Sequence, residues 1–397
     1  MKPLLVSLLP RPPHSSRDGL AIRNYHLLAA LAGEFRVRAL ALSDPARAYE
    51  GEWPAGVDFE IVRQSPRLRR RLLAAAGSLF AGGAYSEKLY RSAELSRRLS
   101  AVAAEENRSP AWVVAHSYHV APAAVRLPSP LWVDFHNVDS EIWRRMAEAA
   151  PSRMVRSFAR LQHRRVLGVE GSLAKIARGL SCVSKRDADV LRALGTAEPL
   201  VVPNGVDLVR HAFRAEPPPE ETVLFVGDLS WPPNADGVRW FLQEIWPRVR
   251  RLRPSARAEI VGRSAPAALR ALGGPDVRFA GEGGPARQHW LEAAVAVVPL
   301  LAGGGTRLKI LEAAATGVPV VATTIGAEGL SLADESEILW RDDAESFASA
   351  IAGLLADPVA ARRQSEAARA RVEQDYGWGP IGRTFARALA GAAGAAA

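Results

Sequence analysis

Cysteine is nearly absent from this chain of 397 residues, in which Cys182 is the only one. A single thiol excludes an internal disulfide framework and is typical of a reducing compartment. Long apolar runs are also missing, since none approaches the roughly 20 residues that a membrane-spanning helix needs. The N-terminal stretch PLLVSLLP is too short for a signal peptide and is soon followed by prolines. These absences predict a cytoplasmic protein.

Lysine is scarce, because only five of the 51 basic residues are lysines. The basic excess is confined to one half: residues 1–198 contain 30 Lys and Arg against 19 Asp and Glu, a net charge of +11. The remainder has 21 against 23, a net charge of −2. Compositional drift towards arginine would not confine the excess in this way, so the first half is expected to meet an anionic partner.

Short apolar runs alternate with amphipathic or alanine-rich stretches along most of the chain. This alternation predicts parallel strands with intervening helices, and the length, with 48% hydrophobic residues, favours two cores. We therefore expect two doubly wound, Rossmann-like α/β domains joined near 195–220. The runs lie at 4–9, 37–42, 111–116, 131–136, 180–184, 222–227, 256–262, 276–281, 295–300 and 318–322.

A glycine-rich loop follows the run at 295–300. In doubly wound sheets, ligands bind at loops that follow the strands, and glycines let backbone amides approach a phosphate. Thr306 is the predicted N-cap of the next helix, on which Lys309 and Glu312 share a face. Lys309 and Arg307 could therefore hold a diphosphate while Glu312 accepts hydroxyls. An ordinary strand-to-helix turn with a salt-bridged surface is the alternative, and the spacing excludes a Walker A loop.

Four segments together resemble a GT-B glycosyltransferase of the retaining group called family 4. They are VDFHNVDSEIW from 133, VVPNGVDL from 201, VLFVGDLSWPPNADGVRWFLQEIWPRVR from 223 and PLLAGGGTRLKILEAAATGVPVVATTIGAEGL from 299. The resemblance implies an acceptor-binding domain at 1–198 and a nucleotide-sugar domain at 199–375, facing each other across a cleft. A last helix at 376–397 would cross back to the first domain.

The resemblance implies a hexosyltransferase-type reaction: a sugar moves from a nucleoside diphosphate to a hydroxyl of a glycan or lipid-linked acceptor in cell-surface polysaccharide or glycoconjugate synthesis. The transition state would be oxocarbenium-like, and a donor phosphate oxygen would take the acceptor proton. Helix amides and cations can neutralise the leaving diphosphate, so neither metal nor other cofactor is expected. The single Asp-x-Asp motif, Asp187 to Asp189, begins a predicted helix, where residues two apart diverge.

The implied catalytic residues are His136, Arg307, Lys309 and Glu312. Two positions depart from the family pattern: Gly304 stands where a first glutamate is usual, and Asp228 where an arginine often follows the glycine. For His136, and for the donor and acceptor loops, local structural roles remain the alternatives. The predicted donor-binding residues are Gly227, Gly281, Glu282, Gly303, Gly304, Gly305, Thr306 and Glu328, and the predicted acceptor-binding residues are Gly19, Arg23, His116 and His119.

Two segments, 67–80 and 142–167, mix arginines with large apolar residues in the manner of helices that rest on an anionic membrane. A location at the inner membrane face would suit a lipid-linked acceptor, whereas a solvated helix face is the alternative. Nucleic acid is disfavoured, since no recognition motif accompanies the arginines. A sugar-nucleotide 2-epimerase and a non-catalytic nucleotide-sugar sensor are the other functions that such a fold would permit.

Overall fold

The chain forms two compact units in the computed structural model. Unit 1 contains Met1–Pro203 and Gly379–Ala397, and unit 2 contains Asn204–Trp378. The boundaries predicted from the sequence, 198/199 and 375/376, lie a few residues earlier. The structure describes residues 2–15, 18–43, 52–64, 67–80, 82–105, 109–150, 152–195, 198–281, 286–302 and 307–394.

Unit 1 contains a parallel seven-stranded sheet with the order β3-β2-β1-β4-β5-β6-β7. Its strands are β1 (Leu4–Leu9), β2 (Arg36–Ser43), β3 (Val57–Arg63), β4 (Trp112–Ala115), β5 (Leu131–Phe135), β6 (Gly179–Cys182) and β7 (Leu200–Val201). Its helices are α1 (Gly19–Glu34), α2 (Arg67–Phe80), α3 (Tyr85–Tyr90), α4 (Ala93–Glu105), α5 (Asp139–Ala149), α6 (Arg153–Ile176) and α7 (Lys185–Ala193), with a 3₁₀ turn at Ala121–Ala123.

The central strands β1, β4 and β5 are apolar because helices cover both faces of a parallel sheet. The strand order reverses between β1 and β4, which is where a doubly wound sheet opens a crevice at its carboxyl edge. The last helix of the chain, α15 (Trp378–Gly394), supplies residues to this unit. The indole Nε1 of Trp112 donates to the carbonyl of Leu389 at 2.9 Å, which ties that helix to β4.

Unit 2 contains a parallel six-stranded sheet with the order β10-β9-β8-β11-β12-β13. Its strands are β8 (Thr222–Val226), β9 (Arg257–Val261), β10 (Val277–Ala280), β11 (Val295–Val298), β12 (Val320–Ala322) and β13 (Leu339–Trp340). Its helices are α8 (Pro232–Trp240), which continues through a π-helical turn (Phe241–Ile245) into α9 (Trp246–Leu252), then α10 (Ala267–Arg270), α11 (Ala286–Glu292), α12 (Leu308–Thr316), α13 (Ala344–Ala356) and α14 (Pro358–Asp375).

The strand order of unit 2 reverses between β8 and β11, so the carboxyl ends of these two strands lie at the switch point. Here two loops pack tightly: a Cβ on Gly262 would lie 1.8 Å from the carbonyl oxygen of Gly227. Only glycine permits this approach. The predicted fold class, two doubly wound α/β domains, is confirmed. In the described parts of the chain, no helix combines the length and the apolar character needed to cross a bilayer.

Candidate functional site

Lys309 lies at the carboxyl edge of the sheet in unit 2. Its Nζ donates to Oδ1 of Asn234 at 3.1 Å and lies 4.1 Å from the centroid of the Phe225 ring. A Cβ on Gly227 would come within 2.8 Å of the same nitrogen. The ammonium therefore sits over the end of β8, in space that a glycine leaves open, and Asn234 on α8 orients it.

Lys309 and Glu312 are partly buried and share a face of α12. Burial and the nearby charge of Arg307 lower the pKa of Lys309 to about 7, against an opposing effect of Glu312. Burial raises the pKa of Glu312 to about 7, although Trp290, Arg210 and Lys309 favour its charged form. Trp290 donates its indole N–H to Oε2 of Glu312 at 3.3 Å. Burial thus shifts both groups towards their neutral forms.

The loop after β8 carries a second charged pair, which the sequence analysis did not anticipate. Arg263, after β9, donates Nε to Oδ2 of Asp228 at 2.6 Å. Burial opposes ionisation of Asp228, but hydrogen bonds from Ser230 and the Arg263 guanidinium lower its pKa overall. Asp228 stands at the position where the family often has an arginine. Its carboxylate holds the guanidinium of Arg263 at this edge of the sheet instead. The signal was present in the sequence, since Arg263 directly follows a strand-ending glycine.

The remaining donor-site predictions fall at several places in unit 2. Arg307 is the N-cap residue of α12, one position after the predicted cap. Gly281 follows β10, and a Cβ on it would have no described atom within 4 Å, while Glu328 lies, partly buried, in the turn after β12. Their contacts with a donor stay predictions. Glu282, Gly303, Gly304, Gly305 and Thr306 lie outside the described residues.

In unit 1, Arg23 and Asp134 form a fully buried ion pair. The guanidinium donates Nε and Nη2 to the two carboxylate oxygens at 2.9 and 2.8 Å, and Nη1 to the carbonyl of Val202 at 2.8 Å. Burial opposes ionisation of Asp134, but Arg23 holds the pKa of the carboxyl well below its usual range. The pair therefore ties α1 to β5 and to the end of β7.

His136 follows β5 and places its Nε2 3.3 Å from Oδ2 of Asp134. Burial lowers the pKa of His136 well below its ordinary value, so the ring is neutral at pH 7. His116 is fully buried, its Nε2 lies 3.3 Å from Oγ of Ser7, and burial lowers its pKa to about 4. His136 therefore lies beside the carboxylate that Arg23 fixes.

The candidate metal ligands His116, Asp134 and His136 lie within 4.8 Å of one another. Two histidines and a carboxylate could in principle bind a transition metal. Both oxygens of Asp134 already accept hydrogen bonds from the guanidinium of Arg23, however. A divalent cation at this place would meet a buried positive charge, so the cluster fits a salt-bridged network better than a metal site.

Two acceptor-site predictions need correction. Arg23 and His116 have no solvent-exposed surface, so neither can touch an acceptor directly, and Arg23 instead acts as an internal brace. His119 remains partly exposed, with Nδ1 2.6 Å from Oγ of Ser117 and Nε2 3.4 Å from Asp139. Gly19 is the first residue of α1. The site residue that was not predicted is Asp134, an aspartate inside an otherwise apolar strand, which is itself a sign of a buried ion pair.

Two family models match this chain. Residues 17–210 match the model described as Glycosyltransferase Family 4, and residues 220–357 match Glycosyl transferases group 1. Together the two models span most of the chain, which is a glycosyltransferase. The resemblance to a GT-B glycosyltransferase is thereby confirmed.

Relatives of this glycosyltransferase include the glycogen synthase of Mycobacterium tuberculosis. That protein is 28% identical over 317 residues, which cover 73% of this chain and 71% of the relative. The solved structure of sucrose-phosphate synthase from Thermosynechococcus elongatus superposes with a TM-score of 0.72 at 20% identity, covering 97% of this chain and 98% of that one. Anabaena Alr3699/HepE in complex with UDP-glucose gives 0.68 at 14% identity, covering 98% and 99%. These structural likenesses establish the fold of the glycosyltransferase.

Proposed function

We propose that this glycosyltransferase moves a sugar, with retention, from a nucleoside diphosphate to a hydroxyl of a glycan or lipid-linked acceptor in cell-surface polysaccharide or glycoconjugate synthesis. The observation that carries the proposal is the position of Lys309, whose ammonium lies beside Gly227 at the switch point of the unit 2 sheet. A ligand diphosphate is expected at such a place. UDP-glucose bound to the structurally similar Anabaena protein supports this donor class.

The reaction breaks the bond between the anomeric carbon and a phosphate oxygen and forms a bond from that carbon to the acceptor oxygen. The proton of the acceptor hydroxyl passes to the departing phosphate. Negative charge then develops on the diphosphate, where Lys309 and Arg307 would offset it. Glu312 would accept a hydroxyl of the sugar or ribose. In this scheme the protein's own cations perform the electrostatic work, and no metal step is invoked.

The proposal also includes an anionic membrane surface as a partner of unit 1. Half of the large apolar side chains that are exposed in the described residues lie on just three helices of this unit, α2, α5 and α6, which are also rich in arginine. They are Leu72, Leu73, Met146, Met154, Val155, Phe158, Leu161 and Ile176. Such a surface would bring the enzyme to a lipid-linked acceptor.

The test is to incubate the protein with a panel of nucleotide-sugars, with and without membrane extract, and to follow the free nucleoside diphosphate. Acceptor-dependent release is expected. An isomerised sugar without release would identify a 2-epimerase instead, and binding alone would identify a sensor. Lys309→Ala and Glu312→Gln are each expected to abolish turnover while leaving the thermal unfolding of the protein intact. Near-normal rates in both variants would overturn the assignment of this site.

The role of His136 stays a prediction that the same assay can test. His136→Ala should lower the rate constant for transfer more than it changes donor binding, because the residue is expected to act on the reacting sugar. An unchanged rate would leave His136 with a structural role only.

A further inference from the structure

A half-open cavity between α5 and α6 of unit 1 is lined by several arginines. The cavity measures about 390 Å³ and is lined by Arg144, Ala147, Glu148, Arg160, His163 and Arg164. This volume lies within the range of small-ligand pockets. Three guanidinium groups face a single carboxylate there, so the cavity has a net positive charge.

The arginines of the cavity differ in how they are partnered. Arg144 donates to Glu141 at 2.8 Å and to Glu148 at 2.6 Å, so its charge is balanced within α5. Arg160 and Arg164, four residues apart on α6, have no hydrogen-bond or ion-pair partner among the residues that the structure describes. They therefore share one face of the helix with free guanidinium donors. Two such guanidinium groups match the geometry of a phosphate group, whose oxygens accept hydrogen bonds from both.

His163, between these arginines, is already oriented by the backbone. Its Nδ1 lies 2.9 Å from the carbonyl oxygen of Ser140, so Nδ1 carries the proton that is donated there. The imidazole is thereby held in the wall of the cavity, and α5 and α6 stay in fixed relation around it. The cavity is thus a preformed feature with donors already in place.

An apolar stripe lies next to the two free arginines. Met154, Phe158 and Leu161 recur at the spacing of one helix face, and their exposed fractions are 80%, 37% and 37%. A soluble phosphate compound would leave this stripe in water. A lipid, in contrast, supplies a phosphate for the guanidinium groups and an apolar boundary region for the stripe.

We infer that the cavity between α5 and α6 seats the phosphate headgroup of an anionic lipid, with the α6 stripe entering the headgroup boundary. This deepens the proposed function, because it names the site through which unit 1 meets the membrane. The inference is tested by vesicle binding that depends on this cavity, whereas the proposed sugar transfer is tested by turnover, so the inference and the transfer can fail separately.

The experiment is co-sedimentation of the full chain with phosphatidylglycerol vesicles and with phosphatidylcholine vesicles. The double variant Arg160→Gln/Arg164→Gln should bind the anionic vesicles about 30-fold more weakly, as expected for the loss of two basic residues near such a surface. Met154→Ser should also weaken binding. The matched control is Arg251→Gln/Arg363→Gln, which removes two exposed arginines of unit 2 that likewise lack partners among the described residues. It should bind as the unchanged protein does.

Thermal unfolding and donor binding should be the same in the α6 variant as in the unchanged protein, because neither arginine contacts the core. Equal losses in both double variants would show a non-specific charge effect and overturn the inference. So would binding of soluble pyrophosphate that depends on Arg160 and Arg164 without vesicle affinity. Vesicle binding lost only in the α6 variants would uphold the inference even if no sugar transfer were found, in which case the proposed function alone would fail.

Discussion

The charge state of Lys309 should change when a nucleoside diphosphate binds. In the free protein, burial and the nearby Arg307 lower the pKa of this ammonium to about 7. A diphosphate beside Lys309 adds negative charge next to it and favours the protonated form. Binding should therefore draw a proton from solution wherever the free side chain is neutral and the bound one is charged.

The size of the effect follows from the pKa. At pH 8 a group with a pKa of about 7 is about 10% protonated, so a bound state with the ordinary lysine pKa takes up about 0.9 proton. At pH 6.5 the free group is already about 75% protonated, and the uptake falls to about 0.25. By linkage, the affinity for the diphosphate should rise about eightfold from pH 8 to pH 6.5. The sign is fixed, because a depressed lysine pKa in the free state favours binding at lower pH.

The assay is titration calorimetry with a nucleoside diphosphate at pH 8 in buffers of different ionisation enthalpy, from which proton uptake is the slope. Lys309→Met keeps the length of the side chain without the amine and should lose most of the uptake. Glu312→Gln should keep it, which separates Lys309 from the second group that titrates near pH 7. An uptake below about 0.3 proton in the unchanged protein, or the same uptake in Lys309→Met, would refute the reasoning.

Two further predictions concern stability. Asp134→Asn should lower the free energy of unfolding by about 3–5 kcal/mol, because it leaves the buried guanidinium of Arg23 without a charged partner; the control Asp189→Asn, whose carboxylate is exposed, should cost under about 1 kcal/mol in the same urea titration. Gly262→Ala should unfold the protein at a clearly lower temperature, since its Cβ would lie 1.8 Å from a backbone oxygen, whereas Gly281→Ala, with open space around it, should melt as the unchanged protein does. Equal effects within either pair would contradict the described packing.

The fold was predictable because buried parallel strands are short apolar runs and their periodicity survives in the sequence. Each of the ten runs contains a strand at or near the expected place. Three strands, β3, β7 and β13, were not predicted, and the reasons are physical. Strand β3 reads VDFEIVR and lies at the sheet edge, where polar residues interrupt the pattern. Strands β7 and β13 are two residues long, too short for periodicity to indicate.

The candidate site was less predictable, because its composition depends on contacts between distant strands. The sequence pointed to Lys309 and Glu312 through their spacing on one helix. It did not show that Asn234, on α8, and Arg263, after β9, reach the same edge of the sheet. In unit 1 it placed Arg23 in the acceptor loop, since a lone arginine near a glycine does not reveal the aspartate that buries it.

Two buried polar clusters, Arg23 with Asp134 in unit 1 and Lys309 with Glu312 in unit 2, differ in how burial affects their charges. This difference argues for different roles. In unit 1 the charges of Arg23 and Asp134 complement each other, so both stay ionised and nothing is left for a ligand to neutralise. In unit 2, burial shifts Lys309 and Glu312 towards their neutral forms, because the protein does not fully compensate them. A cluster that satisfies its own charges holds other groups in position, as Arg23 holds the carbonyl of Val202. A cluster held near neutrality gains from a charged ligand, and the gain grows when charge develops on a leaving diphosphate in a site of low dielectric. The lysine cluster of unit 2 therefore suits a charged ligand, whereas the buried arginine pair of unit 1 suits an internal structural role.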